Sequence, residues 1–153
     1  MNGYLMDTNH VTAWEAGNQS LIAKVKSLPT NNLIYTSAVT LGEISAGHQM
    51  TTGDAQRHHK VRQFVNLNLI PSVVPISHYT QDYYGDIIGR IWKQTTPSNP
   101  KTSTDSHLVQ LGVNINDVWI VALAWERGLI LLTDDKMSCI KLVVPEVTWE
   151  NWL

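Results

Sequence analysis

Asn116-Asp117-Val118-Trp119-Ile120-Val121-Ala122-Leu123-Ala124-Trp125-Glu126-Arg127-Gly128-Leu129-Ile130-Leu131-Leu132-Thr133-Asp134-Asp135 decides how the rest of the chain is read. Its first half is an apolar run, Val118 to Trp125, that closes on Glu126, Arg127 and Gly128. Gly128 is well placed to end a helix, because glycine enters the left-handed backbone region without a Cβ clash. The segment after it, Leu129–Thr133, is short and apolar on both faces, as buried parallel strands are. One acid, Asp117, therefore opens the helix, and two, Asp134 and Asp135, close the strand.

The same alternation runs outward. Tyr4–Met6, Leu33–Thr36, Ile70–Pro75 and Leu142–Val144 read as further strands. Between them, spacing predicts helices over Val11–Trp14 extending towards Ala16, Ser20–Leu28, Thr40–Met50, Asp54–Leu67 and Ser77–Gln94. In the last of these, Tyr79, Tyr83, Tyr84, Ile87, Ile88, Ile91 and Trp92 recur at helical spacing. Thr95–Ser106, rich in Ser, Thr, Pro, Asn and Lys, reads as a surface loop inside one domain. The alternation predicts an α/β fold with a parallel sheet and helices on both sides. A length of 153 residues fits a single domain, and 43% apolar against 16% charged residues excludes disorder.

Charge and cysteine content narrow the setting. The net charge is −2, which counts mildly against a nucleic-acid grip through phosphates. A divalent cation bridging acids to phosphate would answer that objection. Cys139 is the one cysteine, so an internal disulfide is excluded and a reducing, cytoplasmic home is expected. Val118–Trp125 is too short to span a bilayer, so no membrane partner is expected.

The acids fall in a pattern. Asp7 follows the first strand, Glu43 lies one turn into the helix after the second, Asp117 opens the apolar helix, and Asp134–Asp135 follow Leu131-Leu132-Thr133. In an open parallel sheet, sites form outside the carboxyl ends of the strands, where these acids would meet. Each also has a structural explanation. Asp7, Asp117 and the Asp134–Asp135 pair stand where helix N-caps are wanted, and Thr40-Leu41-Gly42-Glu43 matches a capping box. Capping does not require acids, however, and carboxylates gathered in one crevice repel one another. A bound Mg²⁺ or Mn²⁺ would remove that repulsion. No zinc-type Cys/His spacing is present, and His58-His59 is an adjacent pair facing different ways.

Leu5-Met6-Asp7-Thr8-Asn9, Thr40-Leu41-Gly42-Glu43-Ile44-Ser45-Ala46-Gly47, Asn116-Asp117-Val118-Trp119-Ile120-Val121-Ala122 and Leu131-Leu132-Thr133-Asp134-Asp135 resemble the four acidic motifs of PIN domains. They occur in the family's order, with spacing similar to that of VapC-type toxins. Val147-Thr148-Trp149-Glu150-Asn151-Trp152 looks like the closing segment of those toxins, and the resemblance covers essentially residues 1–153. It implies a three-layer α/β/α PIN-like domain with a central parallel sheet of four to five strands. It also implies a Mg²⁺- or Mn²⁺-dependent endoribonuclease whose catalytic acids Asp7, Glu43, Asp117 and Asp135 also hold the cation, Glu43 and Asp135 partly through water. The family pattern selects Asp135 over Asp134. Thr8, Asn9, Thr133 and Asp134 would orient ligands or water beside them.

The resemblance further implies an RNA substrate, a cognate antitoxin and a homodimer. Two departures stand out: Thr95–Asn114 is longer than the usual connection, and Met137 and Ser138 stand where an aromatic is common. Asp105, within the longer connection, is an alternative to Asp117 but lacks the apolar helix after it. Arg57, Lys60 and Arg62 form the one cationic cluster of note, to be weighed as RNA contacts against a solvated helix face. Trp119 and Trp125 read as core, and Cys139 as a buried, inert thiol near a strand. Two other functions remain open. A haloacid-dehalogenase-like phosphatase wants an Asp two residues after its nucleophile, where this chain has Asn9. A catalytically inactive PIN-like scaffold for protein binding would have no need of all four acids.

Overall fold

The structure is a computed structural model that describes residues 3–50, 55–68 and 72–153. Its strands are β1 (Gly3–Met6), β2 (Leu33–Ser37), β3 (Val73–Val74), β4 (Ile130–Leu132) and β5 (Trp149–Glu150). They form one sheet in the order β3-β2-β1-β4-β5, and every pairing is parallel. The helices are α1 (Thr8–Glu15), α2 (Gln19–Ser27), α3 (Ala38–Met50), α4 (Ala55–Asn68), α5 (Thr80–Thr95), α6 (Thr104–Gln110), α7 (Ile115–Arg127) and α8 (Ser138–Val143).

Strand periodicity builds the layers. Successive side chains on a strand point to opposite faces. Leu5 and Leu131 enter one core with Ile87, Ile91, Val121 and Ile140 from α5, α7 and α8. Tyr4, Met6 and Leu132 enter the other with Val11, Leu21, Ile44 and Val61 from α1 to α4. The expected three-layer α/β/α architecture follows from these two cores.

The strand order positions the site. From β1 the chain builds β2 and β3 on one side, then returns to place β4 on the other. Met6 pairs with Leu132, so Asp7 and Thr133 leave the sheet side by side at its carboxyl edge. That edge, between β1 and β4, is the topological switch point, where the two chain directions leave a crevice. Gly128 ends α7 as the sequence predicts, with φ +60 and its N–H on the carbonyls of Ala124 and Trp125.

Three expectations need correction. Leu142–Val144 is not a strand: Leu142 and Val143 end α8, and the fifth strand is Trp149–Glu150. A three-residue apolar run has no readable period, and here its burial is uneven, with Leu142 69% exposed and Val144 fully buried. Thr95–Ser106 is not wholly loop, because α6 starts at Thr104 behind a Ser103 cap. His107 of α6 is buried against Thr95, its Nε2 3.0 Å from the Thr95 hydroxyl. Cys139 belongs to α8 rather than to a strand neighbourhood, and it is half-buried. Of the predicted Ile70–Pro75 strand, Ile70 and Pro71 lie outside the described residues, as does Asp54 of the predicted Asp54–Leu67 helix.

Replacing Leu131, fully buried in the central sheet, by alanine should cost about 2–5 kcal/mol in chemical denaturation. Leu142→Ala should stay within about 0.5 kcal/mol. A large loss at Leu142 would contradict its placement on an exposed helix face.

Candidate functional site

A cleft of about 630 Å³ opens at the switch point, and Asp7, Glu43, Asp117 and Asp135 all line it. Its opposite wall is made by residues 111–114 and 136–140, so the turn after α6 and the start of α8 enclose the acids. The longer Thr95–Asn114 connection thus supplies part of the wall.

Capping accounts for only one of these acids. Asp7 does cap α1, accepting the His10 N–H at 3.1 Å. For α7 the cap is Asn114, whose side chain accepts from the Asn116 N–H at 2.9 Å. Asp117 is therefore free of that duty and sits in the helix's first turn. No capping box forms at Thr40 either. The helix starts earlier, and the Ser37 hydroxyl takes the Thr40 N–H at 3.0 Å. Neither Asp134 nor Asp135 caps α8, which has Met137 at that position and no side-chain cap.

Glu43 is instead held across the cleft. One of its oxygens accepts from the Thr8 hydroxyl of α1 and the other from the Asn116 amide of α7 at 2.9 Å. The amide of Asn9 donates to Asp134 at 2.7 Å and reaches Asp135 at 3.5 Å. The Asp135 N–H donates to the Thr133 hydroxyl at 3.0 Å, which sets the turn leaving β4. Thr8, Asn9 and Thr133 thus each fix an acid or its backbone, and Asp134 is exposed at the rim.

The electrostatics follow from the crowding. Burial, then the charges of Asp135, Glu43 and Asp7, push the Asp117 carboxyl up to about 6. Asp135 is raised by burial, then by Asp7, Asp134 and Glu43. Among the described residues, Lys136 is the one lysine or arginine lining this cleft. Arg57, Lys60 and Arg62 lie on α4 and line no part of it; Arg62 borders a separate, smaller groove with Leu41, Ile44 and Val65. Asp105 sits in the first turn of α6, also outside the cleft. Trp125 packs on the core beneath Arg90, while Trp119 stacks on Tyr84 at 3.9 Å.

An all-oxygen set with uncompensated negative charge suits a hard divalent cation. Asp7, His10 and Asp134 also offer ligand-type atoms within 4.8 Å of one another. In this structure both ring nitrogens of His10 already have partners. Its Nε2 accepts the Trp152 N–H at 3.2 Å, and its Nδ1 faces Asp7 Oδ1 at 3.2 Å. Sequence reasoning missed both His10 and Asn116. Each was findable: Asn116 adjoins Asp117, and His10 lies three residues beyond Asp7, one helical turn away.

No protein-family model matches the chain, and no curated protein matches it. Solved structures do. A VapBC2 structure from Rickettsia felis, bound to a promoter DNA fragment, aligns at 24% identity over 99% of both chains with a TM-score of 0.68. VapBC-1 from nontypeable Haemophilus influenzae aligns at 18% identity over 98% of both chains, TM-score 0.71. DNA-bound VapBC from Salmonella typhimurium aligns at 20% identity over 100% of both, TM-score 0.70. At such identities the likeness shows the fold: the chain has the PIN-like α/β fold of those proteins.

The raised Asp117 carboxyl sets a pH dependence for the cation-free protein. Between the ordinary 3.8 and about 6 the folded state holds more protons than the unfolded state, so stability falls as pH rises through that window. In EDTA, Asp117→Asn should therefore melt above the unaltered protein at pH 7.5 and converge with it near pH 4. Equal differences at both pH values would contradict the crowding.

Proposed function

We propose that this chain, built on the PIN-like fold, is a metal-dependent endoribonuclease and the toxin of a toxin–antitoxin pair. The observation that carries the reading is the convergence of Asp7, Glu43, Asp117 and Asp135 on one cleft. They come from four separate stretches of sequence, and capping explains only the first.

Mg²⁺ or Mn²⁺ fits the residues present. Asp7 would hold it through Oδ2, since both hydrogen bonds to that carboxylate fall on Oδ1. Asp117 and Asp135 would complete the protein ligands. A bound cation would supply Lewis-acid polarisation of a phosphoryl oxygen and lower the pKa of a nearby water. Glu43, steered by Thr8 and Asn116, would complete the charge set around the cation and is placed to take a proton from water there. Lys136 meets the RNA phosphates at the rim, and Arg57, Lys60 and Arg62 serve at most as distant contacts along α4.

Structures similar to this chain include a toxin–antitoxin complex from Klebsiella pneumoniae and VapBC-5 from Mycobacterium tuberculosis, a member of a toxin–antitoxin family, which supports a cognate antitoxin partner here. Homodimerisation belongs to the same reading. Among the described residues no single helix is long and apolar enough to cross a membrane. The lone cysteine fits a cytoplasmic setting.

Cleavage of RNA should require Mg²⁺ or Mn²⁺ and stop in EDTA. Asp7→Ala and Asp117→Ala should each lose more than about 100-fold in rate, beyond the loss typical of residues that only support a metal ligand. Circular dichroism should show both variants folded. Full activity in both would overturn the assignment.

A further inference from the structure

We infer that His10 is a positioning residue that aims Asp7 at its cation, and that the end of the chain sets its tautomer; the inference rests on the metal-dependent reading above. His10 is fully buried in the first turn of α1. Its two ring nitrogens have different partners. Nε2 accepts the backbone N–H of Trp152, and Nδ1 lies 3.2 Å from Asp7 Oδ1. A neutral imidazole has one donor and one acceptor nitrogen. An amide N–H aimed at Nε2 assigns the acceptor role there, so Nδ1–H donates to Asp7.

The donor at the other end is firmly placed. The Trp152 ring packs on Tyr4 of β1 with centroids 4.9 Å apart, and its indole N–H donates to Glu150 of β5 at 2.7 Å. Its carbonyl accepts the Ser20 hydroxyl of α2 at 3.1 Å. Strand, helix and edge strand thus fix the amide that fixes the imidazole.

Two donors then converge on one oxygen of Asp7. Oδ1 accepts both the backbone N–H and the ring N–H of His10, at 3.1 and 3.2 Å. The carboxylate cannot rotate without losing both, and Oδ2 is left to the cleft. A capping bond alone would hold Asp7 with a single donor. The histidine adds the second and excludes itself as a metal ligand.

Two substitutions separate this role from packing. In His10→Asn the side-chain amide nitrogen falls near the position of Nδ1 and keeps the donor to Asp7. In His10→Gln the longer side chain carries its amide to the position of Nε2, where the oxygen keeps the acceptor for Trp152 and the donor to Asp7 is lost. Mn²⁺ affinity is read by calorimetry, below the melting range of each variant. His10→Gln should weaken Mn²⁺ binding by about 10–100-fold, the range for lost partners of a metal ligand. His10→Asn should stay within a few-fold of the unaltered protein. Equal loss in both, or none in His10→Gln, would overturn the inference while leaving the cleft assignment intact. If the unaltered protein binds no Mn²⁺, both readings fall. Should the variants not fold, ¹⁵N NMR of the unaltered protein reads the tautomer directly. A proton on Nδ1 of His10 supports the inference, and a proton on Nε2 overturns it.

Discussion

Mutual repulsion among carboxylates is the constraint around which this molecule is arranged. Folding forces Asp7 and Asp135 together, because β1 and β4 are hydrogen-bonded neighbours and each acid follows its strand. α7 then adds Asp117 from the flank, and α3 adds Glu43. Negative groups brought together in a partly buried cleft cost free energy, which the raised Asp117 carboxyl registers. The two sheet cores supply the stabilisation that offsets it, through Leu5 and Leu131 on one face and Met6 and Leu132 on the other. Burial holds the acids in place against their mutual repulsion.

Polar side chains convert that crowd into a defined geometry. Thr8, Asn9 and Asn116 each donate to an acid from a different chain segment. Consecutive residues of one helix turn therefore serve different parts of the cleft: Asp7 caps, Thr8 steers Glu43, Asn9 ties down Asp134, and His10 returns to Asp7. A preorganised set of this kind would lose little freedom on binding the proposed cation.

Much of this was legible in the sequence, and the exceptions have physical causes. Apolar runs followed by acids located β1, β4 and the switch point, because buried parallel strands need no polar face. The order of the four motifs gave the PIN-like fold, which the solved structures share at 18–24% identity. Leu142–Val144 misled because three apolar residues fit a strand or the end of a short helix equally well. α6 was hidden in a Ser/Thr-rich stretch whose composition resembles loop, though Ser103 was there to cap it. Local sequence also could not say that Asn114, rather than Asp117, caps α7. His10 escaped notice because its importance depends on Trp152, whose N–H meets its ring from 142 residues away.

Anomalous diffraction from crystals soaked in Mn²⁺ would locate the cation. A strong manganese peak is expected in the cleft, against Asp7 Oδ2 and the carboxylates of Asp117 and Asp135, with His10 outside the coordination sphere. A cleft without manganese, or a peak bonded to the His10 ring, would contradict that placement.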